Sequence, residues 1–312
     1  MSTMPNGSIA VLIPCYNEAV TIAKVIRDFQ AALPEATIYV YDNNSTDQTA
    51  AIAAENGAIV RKESRQGKGF VLQAMFREID ADAYLVVDGD DTYPAASAKE
   101  LLQPVMSGAC HISVGARMAS KDAQAFPRFH LFGNYFITRL LNHLFGVTLQ
   151  DILSGYRCFS RQFVKSCPIV SKGFEIETEL TLRALHGRFK IVECAIPYKK
   201  RPEGSYSKLS TFRDGFIIAN TIFRIFRDYK PLSFFVTLGG IAFLAGAAAG
   251  WVVIDEFLKT RYITHVPLAI FAVGSVLVSF LLWGVGLILD TINRRFEEVF
   301  DVQIKTRSSP QE

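Results

Sequence analysis

The sequence predicts an α/β protein with a doubly wound, mostly parallel sheet, followed by two transmembrane helices. From residue 8 to residue 88, short apolar runs alternate with amphipathic helical patterns. This alternation is typical of parallel strands whose sheet is covered by helices on both faces. Farther along, the stretches 232–254 and 266–289 contain no charged residue. A bilayer core requires about 20 apolar helical residues, so both stretches are long enough to span it.

The first predicted strand is Ser8–Pro14, an apolar run that ends at a proline. The next element is a helix, for which Asn17 is the expected N-cap. Its predicted apolar face consists of Val20, Ala23, Ile26 and Phe29. The remaining predicted elements are a strand at 36–42, a helix that ends at Gly57, a strand at 58–62, a helix at 67–79 and a strand at 83–88.

Three carboxylates, those of Asp88, Asp90 and Asp91, lie within four residues at the end of the last of these strands. Repulsion between like charges is unfavourable unless a cation or a ligand offsets it. Ligands of doubly wound sheets bind at the carboxyl ends of the strands. Because Asp42 ends another strand, it should share one crevice with this acidic cluster.

Clustered carboxylates at a strand end suit a hard divalent cation, Mg²⁺ or Mn²⁺, with substrate phosphates filling other coordination positions. A calcium EF-hand is excluded, because Tyr93 and Lys99 stand where that loop requires Gly and Glu. A solvated acidic turn is the alternative interpretation of this motif alone. Gly67 and Gly69, which flank Lys68, permit a ligand to approach the backbone closely, but the surrounding sequence matches no known phosphate loop.

Composition and charge exclude several other classes. The five cysteines are scattered without a CxxC pair, which indicates a reduced cytosolic domain and argues against a zinc site. The net charge of +3 is too small to imply a nucleic-acid partner. Basic residues flank the two apolar stretches on their outer sides, and the loop between them has only Lys259 and Arg261. The positive-inside rule therefore predicts a multi-pass inner (plasma) membrane protein with residues 1–231 in the cytoplasm.

The predicted organisation has four parts. They are a cytoplasmic domain at 1–210, a juxtamembrane interfacial helix at 211–231, two transmembrane helices at 232–289 and a cytoplasmic tail at 290–312. Residues 126–146 and 211–229 are aromatic-rich, basic and amphipathic, which favours helices at a membrane interface over core helices with one solvated face. Small residues in the apolar stretches, such as Gly239, Gly246 and Gly250, suit close helix pairing, and they also allow copies of the chain to pair through these helices.

Seven motifs occur in one order along the chain. Residues 12–159 contain IPCYNEAVTI, YDNNSTDQT, GKG, VDGDDTYP and DILSGYRCF, and GFEIETEL and RPEGSYSKLSTFRDG follow. This ordered set closely resembles the inverting family 2 glycosyltransferases with a GT-A-like fold. Within that family the chain resembles the polyprenyl-phosphate glycosyltransferases, which include dolichyl-phosphate mannose synthases and undecaprenyl-phosphate glucosyltransferases. The resemblance covers the whole chain, including the two apolar stretches.

The resemblance implies a nucleotide site and a metal site. The implied nucleotide-binding residues are Pro14, Tyr16, Glu18, Asp42, Lys68 and Asp88. Asp88 and Asp90 match the motif that holds the metal and the diphosphate. Thr92 stands where some relatives carry Gln, which argues against a ligand role for it.

The resemblance also implies the residues around the reacting centre. Asp151 matches an acidic residue near that centre, where it would position the substrates or stabilise developing positive charge. Arg117, Arg128 and Lys208 match positions that face the lipid and donor phosphates. A phosphate acceptor has a second pKa of about 6 and is already largely anionic at neutral pH, so no strong general base is required.

The implied reaction is metal-dependent, inverting transfer of one sugar from a nucleotide sugar, with UDP-glucose favoured, to undecaprenyl or another polyprenyl phosphate. GDP-mannose, UDP-GlcNAc and aminoarabinose donors remain open. A processive polysaccharide synthase is disfavoured, because Trp251 and Trp283 both lie in the apolar stretches and no QxxRW motif is present. A catalytically inactive membrane scaffold with the same fold is the alternative from another class.

Overall fold

The computed structural model describes residues 7–117, 138–170, 176–199, 201, 202, 220 and 223–308. The chain divides into two compact units, residues 1–215 and residues 216–312. The assignment of four functional parts stays a prediction.

The first unit is built on one seven-stranded sheet with the order β3-β2-β1-β4-β6-β5-β7. The strands are β1 (Ile9–Cys15), β2 (Thr37–Asp42), β3 (Ile59–Lys62), β4 (Ala83–Val86), β5 (Ile112–Arg117), β6 (Arg157–Ser160) and β7 (Ile191–Ile196). Neighbours pair in parallel except where β6 runs antiparallel to β4 and β5. The prediction of a mostly parallel sheet is confirmed.

Helices connect the strands, as the alternating pattern predicts. They are α1 (Ile22–Ala32), α2 (Thr49–Glu55), α3 (Lys68–Glu78), α4 (Ala98–Met106), α5 (Arg161–Ser166) and α6 (Ile176–His186), and a 3₁₀ turn at Ala95–Ser97 precedes α4. Residues 138–145 are also helical, which agrees with the part of the 126–146 prediction that the structure describes.

The beginning of α1 differs from the prediction. The helix begins at Ile22 with Thr21 at the N-cap position, and Val20 is 66% exposed. Asn17 does not cap the helix, because its Oδ1 accepts the backbone N–H of Thr46 at 2.7 Å and its φ is 53°. The prediction failed because an Asn that opens a turn and an Asn that caps a helix look alike in sequence. The buried face of α1 consists of Ile22, Val25, Ile26 and Phe29. Of the predicted face, Ile26 and Phe29 are therefore buried, whereas Val20 is exposed and Ala23 is partly exposed.

The second unit contains two long helices, α7 (Pro231–Thr260) and α8 (Val266–Ser308). By length and composition each is able to cross a membrane, and 17% and 11% of their most apolar stretches are buried. A core helix of a soluble protein would bury most of such a stretch. α8 continues 19 residues beyond the predicted end of the second span at Leu289, from residue 290 to residue 308. Residues 223–229 of the predicted juxtamembrane segment are helical as well.

The two long helices pack closely where glycine removes the side chain. A Cβ on Gly239 would stand 2.5 Å from Nε1 of Trp283, and one on Gly246 would stand 2.9 Å from the carbonyl oxygen of Ala272. The Trp283 indole N–H donates to the carbonyl oxygen of Val236 at 3.3 Å. Close helix packing at small residues, as predicted, is therefore confirmed within one chain. Pairing between copies of the chain stays a prediction.

Candidate active site

The topology brings the polar segments of the first unit to one edge of its sheet. All strands except β6 point the same way, so the segments that follow β1, β2, β4, β5 and β7 leave from the same edge. Because β6 runs in the opposite direction, the segment that precedes it, which includes Asp151, begins there as well. The edge is the carboxyl-terminal one, where open α/β sheets bind their ligands.

Asp42 ends β2 with a buried carboxylate that is 6% exposed. Its Oδ2 accepts the backbone N–H of Ser45 at 3.3 Å. Its Oδ1 is buried and has no hydrogen-bond partner among the residues that the structure describes. A buried acceptor without a donor is costly, about 1–3 kcal/mol, and calls for a partner that a ligand can supply.

Asn43, the next residue, shapes the loop that leads to Lys68. Its Nδ2 donates to the carbonyl oxygens of Glu63 and Arg65 at 2.9 and 2.8 Å. Its Oδ1 accepts the backbone N–H of Gly67 at 2.7 Å. The backbone at Gly67 has a φ of 137°, which a residue with a side chain rarely adopts. The motif after β2 thereby fixes the position of Lys68, the residue at which α3 begins.

Lys68 bridges two carboxylates. Its Nζ lies 2.6 Å from Oδ1 of Asp88 and 2.6 Å from Oε1 of Glu177. Burial alone would lower the pKa of Lys68, but the two carboxylates outweigh it and raise the pKa above its ordinary value. Lys68 is therefore a permanent cation that holds Asp88 in place.

Gly155 makes room for this ion cluster. A Cβ on Gly155 would overlap Oδ2 of Asp88 and would stand 3.2 Å from Nζ of Lys68. The backbone N–H of Gly155 donates to the phenolic oxygen of Tyr93 at 3.0 Å, which also holds this residue in place. The DILSGYR motif and the VDGDDTYP motif are therefore in contact through Gly155.

The three clustered carboxylates each have a cation from a different segment of the chain. Asp88 pairs with Lys68, Asp91 pairs with Lys24 of α1 at 2.8 Å, and Asp90 pairs with Nη2 of Arg201 at 2.6 Å. Like charges are tolerated here because each is neutralised locally.

Asp90 is the most enclosed of the three, at 3% exposed. Its Oδ1 accepts the Thr92 hydroxyl at 2.6 Å, so Thr92 orients the carboxylate. Burial and repulsion from Asp88 raise the pKa of Asp90, against the opposing effect of Arg201. No group of three or more potential metal-ligating side chains occurs among the described residues. Two neighbouring carboxylates nevertheless fit Mg²⁺ or Mn²⁺, which take few protein ligands and fill other positions with water and phosphate oxygens.

Asp151 and Arg117 form a bidentate ion pair. Nε of Arg117 donates to Oδ2 of Asp151 at 2.6 Å, and Nη2 donates to Oδ1 at 2.8 Å. The backbone N–H of Arg117 also donates to Oδ2, at 3.1 Å. Burial alone would lower the pKa of Arg117, but the hydrogen-bonded carboxylate raises it above its ordinary value. Both oxygens of Asp151 are thus engaged in holding a cation.

The remaining predicted residues lie after β1 or outside the described residues. Glu18 is buried and its backbone N–H donates to the Thr49 hydroxyl at 2.8 Å, whereas Pro14 and Tyr16 are partly exposed. The hydroxyl of Thr21 donates to the carbonyl oxygen of Gly89 at 2.6 Å, which ties this segment to the acidic motif. Arg128 and Lys208, predicted to face phosphates, lie outside the described residues.

Several residues of the site were not predicted. They are Asn43, Tyr93, Gly155, Glu177, Glu193 and Arg201. All except Glu193 stand inside one of the seven quoted motifs, so the motifs were the available signal. The sequence did not reveal which acidic residue each cation would meet.

Comparison with known proteins agrees with this architecture. The model of the family described as glycosyl transferase family 2 matches residues 10–167. Glycosyltransferase AglJ of Haloferax volcanii is 34% identical over 286 residues, which cover 91% of this chain and 93% of AglJ. The chain therefore belongs to glycosyl transferase family 2 and is a glycosyltransferase.

The names of two further relatives include a lipid, dolichyl phosphate in one and polyprenol in the other. A dolichyl-phosphate hexose transferase of Haloferax volcanii is 29% identical over 217 residues, 70% of this chain and 93% of that protein. A polyprenol monophosphomannose synthase of Mycolicibacterium smegmatis is 28% identical over 220 residues, 66% of this chain and 82% of that protein.

Solved structures share the fold. Glucosyl-3-phosphoglycerate synthase from Mycobacterium tuberculosis, in complex with Mn²⁺, UDP-glucose and phosphoglyceric acid, superposes with a TM-score of 0.57 at 20% identity. The superposition covers 71% of this chain and 79% of that one. The predicted GT-A-like fold is confirmed by this likeness.

Proposed function

We propose that this glycosyltransferase moves one sugar from a nucleotide sugar, with UDP-glucose the leading donor, to undecaprenyl or another polyprenyl phosphate. The reaction inverts the configuration at the anomeric carbon of the sugar. It takes place at the cytoplasmic face of the inner membrane. The observation that carries the proposal is the strand-edge site of a chain of this family. In that site Asp88, Asp90 and Asp151 each pair with a cation, and Asp42 keeps one buried oxygen without a partner among the described residues. The acceptor class is supported by the relatives named for dolichyl phosphate and polyprenol.

The unpartnered oxygen of Asp42 favours a uridine donor. With Oδ2 engaged by Ser45, one oxygen remains without a partner among the described residues, and it suits the single imide N–H of uracil. Guanine presents two adjacent N–H groups on the same edge, which would call for both oxygens of a carboxylate. A fold neighbour that binds UDP-glucose together with Mn²⁺ adds support for this donor.

Asp88 and Asp90 would hold the divalent cation. When bound, the ion supplies positive charge that stabilises the departing nucleoside diphosphate. Lys68 and Arg201 already surround these carboxylates with positive charge, so the chain's own residues counter the repulsion between acidic side chains and diphosphate.

The acceptor is proposed to attack as an ionised phosphate. Its second pKa of about 6 leaves it largely dianionic at neutral pH, so no side chain has to remove a proton. The pairing of Asp151 with Arg117 agrees with this, because the Asp151 carboxylate is already engaged by four N–H donors, three from Arg117 and one from Leu153. Arg117, together with Arg128 and Lys208, would attract the acceptor and donor phosphates.

The two long helices support a membrane-bound acceptor. Their apolar, mostly exposed surfaces suit a bilayer, and a polyprenyl phosphate is confined to the bilayer by its own chain. Anchoring the enzyme in the same membrane raises the local concentration of this substrate. The basic residues that flank the helices favour the cytoplasmic side, where nucleotide sugars are made.

A donor panel tests the proposal. Detergent-purified full-length protein is incubated with undecaprenyl phosphate, Mg²⁺ or Mn²⁺, and one radiolabelled nucleotide sugar at a time. UDP-glucose is expected to give an organic-soluble labelled lipid, and chelation of the metal is expected to stop its formation. Label from GDP-mannose or UDP-GlcNAc instead would correct the donor and keep the reaction class. No labelled lipid from any donor would leave the inactive scaffold as the better account.

A further inference from the structure

Glu193 holds the loop that carries Asp151. Its Oε1 and Oε2 accept the backbone N–H of Gln150 at 2.9 and 2.8 Å. Oε1 also accepts the backbone N–H of Asp151 itself, at 2.9 Å. Because charged acceptors form hydrogen bonds roughly twice as strong as neutral ones, this contact fixes the backbone from which the Asp151 side chain extends.

The sheet places Glu193 and Arg117 on neighbouring strands. Glu193 lies in β7 opposite Val114 of β5, and β5 ends at Arg117. Its neighbours Val192 and Cys194 pack against the hydrophobic core, so Glu193 projects from the opposite face of the strand. One parallel ladder thus sets the position of both partners that hold Asp151, the guanidinium and the Glu193 carboxylate.

The same loop is held from inside the core by Arg157. This residue is 2% exposed, and its guanidinium donates to the carbonyl oxygens of Ile152 and Ser154. The hydroxyl of Ser154 donates to the carbonyl oxygen of Gly115 at 2.6 Å. With these groups anchored, the N–H groups of residues 150 and 151 are the part of the loop that Glu193 controls.

We infer that Glu193 is a positioning residue for the transfer reaction. Glu193 fixes the backbone of Asp151, Asp151 fixes the guanidinium of Arg117, and Arg117 faces the phosphates of the substrates. This inference rests on the proposed function. A catalytic group displaced by about 1 Å can lose two orders of magnitude in rate, so loosening the loop should slow turnover without removing a substrate contact.

The test compares Glu193 with Glu179, a second glutamate whose carboxylate accepts a backbone N–H group with both oxygens. Glu179 of α6 accepts the backbone N–H of Val170 with both oxygens, at 3.0 and 3.2 Å, and pairs with Arg183. Glu193→Gln and Glu179→Gln are made in the full-length protein. Each keeps the shape of the side chain and loses the charge. For both variants kcat, the donor KM, UDP affinity and the thermal midpoint are measured.

Glu193→Gln is expected to lower kcat about 10- to 100-fold, with donor KM and UDP affinity unchanged within about twofold. Glu179→Gln is expected to keep the wild-type kcat. Glu193→Ala should lose more than Glu193→Gln, because an amide oxygen still accepts an N–H. Full kcat in Glu193→Gln, or equal losses in both Gln variants, would overturn the inference.

A double mutant shows whether Glu193 acts through Asp151. In the Asp151→Asn background, Glu193→Gln should cost much less than it costs in the wild type, since the group it positions is already altered. A full multiplicative loss would mean that Glu193 acts elsewhere. If the wild-type protein transfers no sugar at all, the proposed function fails, and that result is distinct from a fully active Glu193→Gln.

Discussion

Asp42 and Asp151 lie at the same edge of the sheet, and their surroundings differ in one decisive respect. Asp42 keeps one buried oxygen without a partner among the described residues, and Asp151 has both oxygens bound to Arg117. Their exposure is nearly equal, at 6% and 5%, so burial does not distinguish them. The difference lies in what each carboxylate has left to offer a ligand.

This comparison distinguishes a carboxylate that contacts a ligand directly from one that positions a neighbouring side chain. A buried acceptor without a donor is stabilised when a ligand supplies a donor, so Asp42 is suited to accept a hydrogen bond from a bound nucleotide. A carboxylate saturated by a guanidinium instead fixes the position and charge of that guanidinium. The acidic pair between them, Asp88 and Asp90, combines both features, because each carries a cation and could exchange part of that contact for a metal.

The largest effect is expected at this middle pair. Asp90→Asn should lower transfer about 10³-fold or more, because a neutral amide is a poor ligand for Mg²⁺ or Mn²⁺ and the diphosphate loses its stabilising charge. Mn²⁺ binding in the presence of UDP, followed by electron paramagnetic resonance, should be lost in parallel. Asp91→Asn is the matched control, since Asp91 pairs with Lys24, and it should behave as the wild type. Full activity of Asp90→Asn in chelator would refute the metal assignment.

Next in size is the Asp151 and Arg117 pair. Asp151→Asn and Arg117→Ala should each lower kcat about 10²- to 10³-fold, through lost electrostatic stabilisation of the reacting phosphates. UDP affinity should stay within about twofold in Asp151→Asn. If the two residues act as one unit, the double variant should be no slower than the slower single variant. Multiplicative losses would show that Asp151 has a contact of its own with the substrates.

The pH profile sharpens the same distinction. Protonation of the acceptor phosphate below its second pKa of about 6 removes the nucleophile, so the rate should fall up to tenfold per pH unit below that point. This fall in rate at acidic pH arises from the phosphate of the lipid, so it should be present in both the wild type and Asp151→Asn. An acidic limb that disappears in Asp151→Asn would identify Asp151 as a general base.

The smallest effect is expected at Asp42. Asp42→Ala should weaken UDP binding about tenfold, or ~1.4 kcal/mol, through loss of one charge-assisted hydrogen bond. At saturating donor the kcat should be nearly unchanged. Asp42→Asn, which keeps an acceptor oxygen, should lose less. Calorimetric titration of UDP and GDP measures this, and equal losses for both nucleotides would remove the argument for uracil.

Local sequence patterns were sufficient for the alternating half of the fold. The strands at β1 to β4 and the helices between them begin and end within a few residues of the predicted positions, because each apolar run is long enough to be buried. The beginning of α1 was wrong because a turn at Asn17, fixed by contact with Thr46, precedes the helix. That contact joins residues 29 positions apart, which no local pattern encodes.

The candidate site was predictable as a set of residues and unpredictable as a set of pairs. Asp88, Asp90 and Asp151 were found from their motifs. Their cations come from distant points of the chain. Lys68 is 20 residues from Asp88, and Glu177, which also pairs with Lys68, is 109 residues from Lys68. Only the folded sheet brings these residues together. Glu193 had no motif to mark it, because its function depends on which strand pairs with β5.

Trp283 in α8 gives the second unit an internal optical reporter. Its indole sits in the notch left by Gly239 and donates to the carbonyl oxygen of Val236, whereas Trp251 is 73% exposed on α7. The two tryptophans of the chain therefore sample opposite surroundings, one between the helices and one on their outer surface. Because Trp283 is partly buried, lipids brominated on their acyl chains should quench Trp251 more strongly than Trp283. Fluorescence that survives such quenching would then report, in an intact membrane, that the two helices have come together.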